Sequence, residues 1–140
     1  IVLQFDVADE DFDLHSVAEN NVCYTGTHDN DTTVGWFAGS PGDIRAPEEI
    51  EQTRQAALEI TGGTPETIHD DMIRAAFSTD ARLAIAPLQD YLGLGSEARF
   101  NIPGTTGGNW RWRVSVTQMS DEFCDHVAAL VQASGRALQN

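Results

Sequence analysis

Val22-Cys-Tyr-Thr-Gly-Thr-His-Asp-Asn-Asp-Thr-Thr-Val-Gly-Trp-Phe37 is the stretch on which the reading of this sequence turns. Val22, Cys23 and Tyr24 are β-formers and Gly26 closes the run, so the first half reads as a short buried strand. His28, Asp29, Asn30 and Asp31 follow directly. Polar side chains gathered at the C-terminal mouth of a strand are where α/β folds keep their chemistry. Gly35, Trp36 and Phe37 place a large flat aromatic beside them. Carboxylate, imidazole, amide and indole together suit a neutral polyhydroxylated ligand, whose polar edges need hydrogen bonds and whose apolar face stacks on an aromatic.

Capping explains part of the same cluster. Asp31 or Thr32 can accept the orphan amides of a short helix over Val34–Ala38. That leaves His28 and Asp29 without a role.

Working outward, 140 residues allow one domain with a proper core. No apolar run approaches the ~20 residues of a membrane span. Cys23 and Cys124 are too few for a disulfide framework and lack metal-ligand spacing, and two reduced thiols suit a cytoplasmic protein. No cofactor or metal site is expected. Acidic residues number 22 against 8 basic ones, all arginine, for a net charge of -14. Such a charge excludes nucleic acid and anionic membrane surfaces as partners. Acid excess without lysine also suits a salt-adapted source.

Ile1–Phe5 reads as a first strand, entered in its middle, which points to a piece of a longer chain. Asp6–Asn20 is an acidic loop with room for one helical turn, and His15 is solvated there. Asn21–Gly26 is the second strand. Gly39–Gly42 is a turn. Pro47 with Glu48, Glu49 and Glu51 opens a helix that stops at Gly62-Gly63. Thr64-Pro65 opens another to about Phe77, with Ile68, Met72, Ile73, Ala76 and Phe77 on one face and His69, Asp70 and Asp71 solvated off it. Leu83–Pro87 reads as a third strand buried on both sides, and short apolar strands between helices indicate a parallel sheet. Gln89, Asp90 and Tyr91 again follow a strand's C-terminal end. Gly93–Gly108 is loop. In Asn109-Trp-Arg-Trp-Arg-Val114, an extended backbone would put both indoles on one face and both guanidiniums on the other. Covering the core is the competing role for these tryptophans. Ser120 caps a last helix with Phe123, Val127, Leu130, Val131 and Leu138 buried, and His126 structural.

Three local patterns are rejected. Gly93-Leu-Gly-Ser-Glu-Ala98 mimics a dinucleotide turn, but Leu88–Leu92 separates it from the strand and no ribose-binding acid follows. Asp29–Thr33 mimics half a calcium loop, but the sixth position is Val34 and the twelfth Ser40. Asn30-Asp-Thr32 is a glycosylation triplet with no meaning without secretion.

The order of motifs is similar to that of the 4-α-glucanotransferases (amylomaltases or disproportionating enzymes, glycoside hydrolase family 77). Thr25-Gly-Thr-His-Asp-Asn-Asp-Thr32, Pro87-Leu-Gln-Asp-Tyr-Leu-Gly-Leu-Gly95, Asn101-Ile-Pro-Gly-Thr105 and Asn109-Trp-Arg-Trp-Arg113 carry the resemblance over nearly the full chain, with Leu3-Gln-Phe5. It implies an α/β fold, the C-terminal part of a (β/α)₈ TIM barrel comprising about three β/α units. These would be the sixth to eighth strands, at residues 1–140 of a glycoside hydrolase-type catalytic domain. A whole barrel takes roughly 250 residues, so no complete domain is expected and the isolated piece is expected to self-associate. The implied chemistry is retaining transfer of α-1,4-glucan segments between maltooligosaccharides. The family's nucleophilic Asp and acid/base Glu follow strands this chain lacks, so the chain alone is expected to be inactive. The family's third carboxylate falls on Asp29, as transition-state stabiliser. Substrate contacts are expected from His28, Asn30, Asn101 and Trp36, with Asn30 also supporting the loop.

Two other readings compete. One is a truncated glucan-binding or structural module without catalysis. The other is an α-amylase-type hydrolase fragment, which shares the His-Asp pair but not the Asn101-Ile-Pro-Gly and Asn109-Trp-Arg-Trp motifs.

Overall fold

Strand β1, Val22–Tyr24, is the centre of the sheet in the computed structural model, which describes residues 1–40 and 42–137. It pairs in parallel with β2, Leu83–Ile85, in the register Val22↔Leu83, Cys23↔Ala84, Tyr24↔Ile85. A parallel pair needs a long crossover, and here it contains three helices. These are α2 (Thr33–Ala38), α3 (Pro47–Thr61) and α4 (Ile68–Ser78). Two one-turn helices flank the sheet, α1 (Leu3–Asp6) and α5 (Leu88–Tyr91), and α6 (Asp121–Ala133) follows.

The expected first strand is cut short. Ile1 still joins the ladder, donating to Val22 O at 3.2 Å and accepting from Tyr24 N at 3.0 Å. Val2 forms only an isolated bridge with Tyr24. The Asp6 carboxylate takes the Val2 amide at 2.7 Å, and the backbone turns into α1 instead of extending to Phe5.

Alternation along the strands sorts the two faces. Cys23, fully buried, and Ala84 point to the helices. Leu83 and Ile85 share the other face with Val22 and Tyr24 and are 54% and 41% exposed. The expectation that Leu83–Pro87 is buried on both sides is therefore corrected: only one face is covered.

The starts and stops of α3 and α6 follow their sequence signals, whereas α4 begins at Ile68 and not at the expected Thr64-Pro65, which forms a turn ahead of it. Glu49 takes the Ala46 amide at 2.7 Å ahead of Pro47, and Gly62, at φ +65°, ends α3. Ser120 Oγ accepts the Phe123 amide at α6. α4 buries Ile68, Met72, Ile73, Ala75, Ala76 and Phe77. Leu3, Cys23, Trp36, Ala57, Ile68, Met72 and Ala76 form the main core, and Ile73, Phe77 and Leu130 seat α6 on α4. Of the stripe expected to be buried, Leu130 is, while Phe123, Val127 and Val131 are only half-buried, and Leu138 lies outside the described residues.

His69, Asp70 and Asp71 are not the solvated face expected of them. Asp70 and Asp71 side chains are 14% and 12% exposed. Asp70 meets His126 Nε2 at 2.9 Å, tying α6 to α4, and Asp71 accepts from Arg74 and Thr67. His69 Nδ1 lies 3.0 Å from Asp90 O. His15 is exposed, as expected.

Candidate functional site

Between β1 and α2 the chain makes a tight polar loop, and both readings of its side chains hold, for different residues. Thr32 Oγ1 accepts the Gly35 amide and caps α2. Asp31 is structural too. Its Oδ1 takes the Thr32 amide, and its Oδ2 takes the Ser40 and Ser96 hydroxyls, both at 2.6 Å. Any side chain at position 35 would collide with Ser96 and Asp31, so the glycine allows this close packing. Asn30 braces the loop from inside: its Oδ1 accepts Thr27 N at 2.9 Å and Thr27 Oγ1 at 2.8 Å.

His28 and Asp29 stand clear of this bracing, with side chains 59% and 50% exposed. Asn101, 72 positions along the chain, donates its Nδ2–H to Asp29 Oδ1 at 2.6 Å, and His28 Nε2 lies 3.3 Å from the same oxygen. Arg99 secures the partnership through the backbone, donating to Asp29 O and Asn101 O at 2.9 Å each. Asn109 closes the turn after Asn101, accepting from Ile102 N and donating to Thr105. Among the described residues no bond is made to Asp29 Oδ2.

His28, Asp29 and Arg99 edge a cleft of about 710 Å³ over the C-terminal end of the sheet's open face, with Asn101 behind Asp29. Tyr24, Ile85 and Pro87 contribute from the strand ends. Phe100 and Trp112 supply aromatic walls, and His28, Asp29 and Asn30 the polar edge. Beside it, Trp110 packs its indole 5.3 Å from the His28 ring and edge-on to Phe100 at 4.8 Å. Trp110 has φ +62° and is 52% exposed, so the segment is not extended and the two indoles do not share one strand face.

Of the residues expected at the site, His28, Asp29, Asn30 and Asn101 come together there. Trp36 does not. It is 7% exposed in the main core, with the Arg45 guanidinium 5.4 Å over its ring. It lies on α2, whose apolar side faces α4 and the core, so the aromatic contribution passes to Phe100 and Trp112. The sequence reading gave no site role to Arg99, two residues before Asn101, or to Asp90. Asp90 is 1% exposed and accepts from Thr25 Oγ1, Thr33 N and Thr33 Oγ1 at 2.7–2.8 Å. Burial pushes its carboxyl pKa up, against the pull of those donors.

Chemically, the arrangement offers a half-exposed carboxylate with one oxygen oriented and one open, an imidazole beside it, and aromatic surfaces across the cleft. That set can take the hydroxyls and one apolar face of a sugar.

The model of a family described as 4-alpha-glucanotransferase matches residues 1–118. A 4-alpha-glucanotransferase of Synechocystis sp. is 46% identical over 120 residues, 85% of this chain and 22% of its own length. One of Thermus thermophilus is 39% identical over 115 residues, 82% of this chain and 22% of its own. The solved amylomaltase from Streptococcus agalactiae in complex with acarbose superimposes with a TM-score of 0.82 at 27% identity, over 98% of this chain and 27% of that one. The chain thus spans about a fifth of the length of these curated relatives. The family match occupies the N-terminal 118 residues of this chain and leaves α6 outside it. These matches carry the family but not a position in the C-terminal part of the barrel, and that assignment is set aside.

Proposed function

Given that this chain belongs to the 4-alpha-glucanotransferase family, we propose that the protein carrying it transfers α-1,4-glucan segments between maltooligosaccharides with retention at the anomeric carbon. The chain contributes about three β/α units of a (β/α)₈ barrel, with the open sheet face turned to the barrel interior. It is no complete domain by itself, and the isolated piece self-associates through that face. A carboxylate elsewhere in the protein attacks the anomeric carbon, a carboxylic acid protonates the departing glycosidic oxygen, and an acceptor sugar hydroxyl then displaces the enzyme carboxylate. Alone, the chain turns nothing over.

Asp29 is the residue this chain adds to the chemistry. Its open oxygen accepts sugar-ring hydroxyls, and its negative charge favours the oxocarbenium-like transition state over the neutral ground state. Asn101 and His28 hold it and share those hydroxyls, with Asn30 keeping the loop in shape. The free thiols Cys23 and Cys124 suit the cytoplasm.

The observation that carries this reading is the 2.6 Å Asn101–Asp29 bond beside His28 on the rim of an aromatic-walled cleft. In the full-length protein, Asp29→Ala should cost about 3 kcal/mol of transition-state stabilisation, roughly 100- to 1000-fold in kcat, with the fold intact. Maltotriose disproportionation is the assay. Turnover close to wild type would overturn the role of Asp29.

A further inference from the structure

We propose that Asp90 is the positioning residue of the His28–Asp29 loop, a buried carboxylate that fastens the loop's two ends together and so sets where Asp29 stands against a bound sugar. The inference rests on the glucan-transfer reading above.

Thr25 precedes the segment 26–32 and Thr33 follows it, and both are fully buried. Asp90 Oδ2 accepts from Thr25 Oγ1 at 2.7 Å and Thr33 Oγ1 at 2.8 Å, and Oδ1 accepts from Thr33 N at 2.7 Å. One carboxylate therefore bridges the last residue of the strand side and the first residue of α2. Gln4 braces the loop independently, through its amide to Thr25 O and its side chain to Asp31 O. The bridge is anchored in turn, because the Asp90 carbonyl meets His69 of α4. Asp90 does not line the cleft, so it cannot touch substrate. Burying a carboxylate is costly unless donors converge on it, and here three do. An apolar residue would fill the same space without defining the loop's span.

The test uses the full-length protein. Asp90→Asn keeps the size but turns one acceptor oxygen into a donor. It should lower kcat by about 10- to 100-fold, the scale of a misplaced reacting group, with KM little changed. In an Asp29→Ala background the same substitution should cost far less, because its effect passes through Asp29. Thr25→Val, which removes one donor, repeats the test if Asp90→Asn does not fold, and Thr25→Ser should recover most of that loss. A folded Asp90→Asn enzyme with wild-type kcat, or a loss that adds in full to that of Asp29→Ala, overturns the inference. A wild-type protein without glucan transfer, or an active Asp29→Ala variant, fails the functional reading instead.

Discussion

At the scale of single residues, three aspartates illustrate how surroundings assign roles. Asp29 is half-exposed and bonded to Asn101 at the edge of the cleft, Asp90 is buried and bonded to the chain, and Asp43 is a clip. Arg45 donates to both Asp43 oxygens, and those hydrogen bonds hold the Asp43 carboxyl below its ordinary value of 3.8. A lowered folded value means that the stabilisation is present above 3.8 and lost as pH falls through the folded value. Asp43→Asn should thus lower stability by about 1 kcal/mol at neutral pH, with the gap to wild type closing in acid. Urea unfolding across that pH range checks it, and a constant gap would count against the pair. Asp90 runs the other way: its raised value makes ionisation a cost that grows as pH rises through it. The sequence singled out Asp29 through its motif but gave Asp90 no role, since the partners of Asp90 lie 57 and 65 positions away.

Among the elements, α2 shows what a short helix needs. Six residues are too few to be stable alone, yet α2 begins where the site loop ends. Its C-terminal carbonyls are all engaged. Arg45 donates to Trp36 O, and Arg54, from α3, donates to Phe37 O and Ala38 O. Cations favour that end of a helix, and a forked guanidinium reaches two carbonyls where an ammonium is a point charge. Arg54→Lys should accordingly cost about 1–2 kcal/mol and speed amide exchange in residues 33–38. Unchanged exchange there would remove the clamp from the account. Helices α3 and α6 were legible because caps and apolar spacing are local signals, and α4 was legible through its apolar spacing alone, since it starts at Ile68 beyond Thr64-Pro65. The first strand was not, because a side chain four residues away captured the Val2 amide. His28, Asp29 and Asn101 were legible through motifs, whereas Trp36 was misplaced because a sequence does not say which side of α2 faces the core.

For the molecule as a whole, the charge of -14 sits on a scaffold most of whose cations are tied to its own backbone. Arg45, Arg54, Arg99, Arg113 and Arg136, five of the eight arginines, donate to backbone carbonyls. Arg136 alone takes Phe77 O in the last turn of α4 and Thr79 O and Ala81 O beyond it. The acidic surface is left largely to repel itself, so added salt should raise the melting temperature by screening. Calorimetry in low and ~1 M sodium chloride, where the Debye length is only about 3 Å, reads this directly, and a fall would refute it.

The clamped arginines also govern how the chain can be taken apart. With no lysine in the sequence, trypsin has only arginine to cut after, and it must draw that side chain out into its own pocket. Arg45, Arg54 and Arg136 can be surrendered only when the carbonyls they hold are released. Arg111, exposed in irregular chain ahead of α6, carries no such bond among the described residues. Among the arginines of this chain, Arg111 can be cut without releasing any such carbonyl, and a cut there severs the last helix from the loop that carries His28 and Asp29.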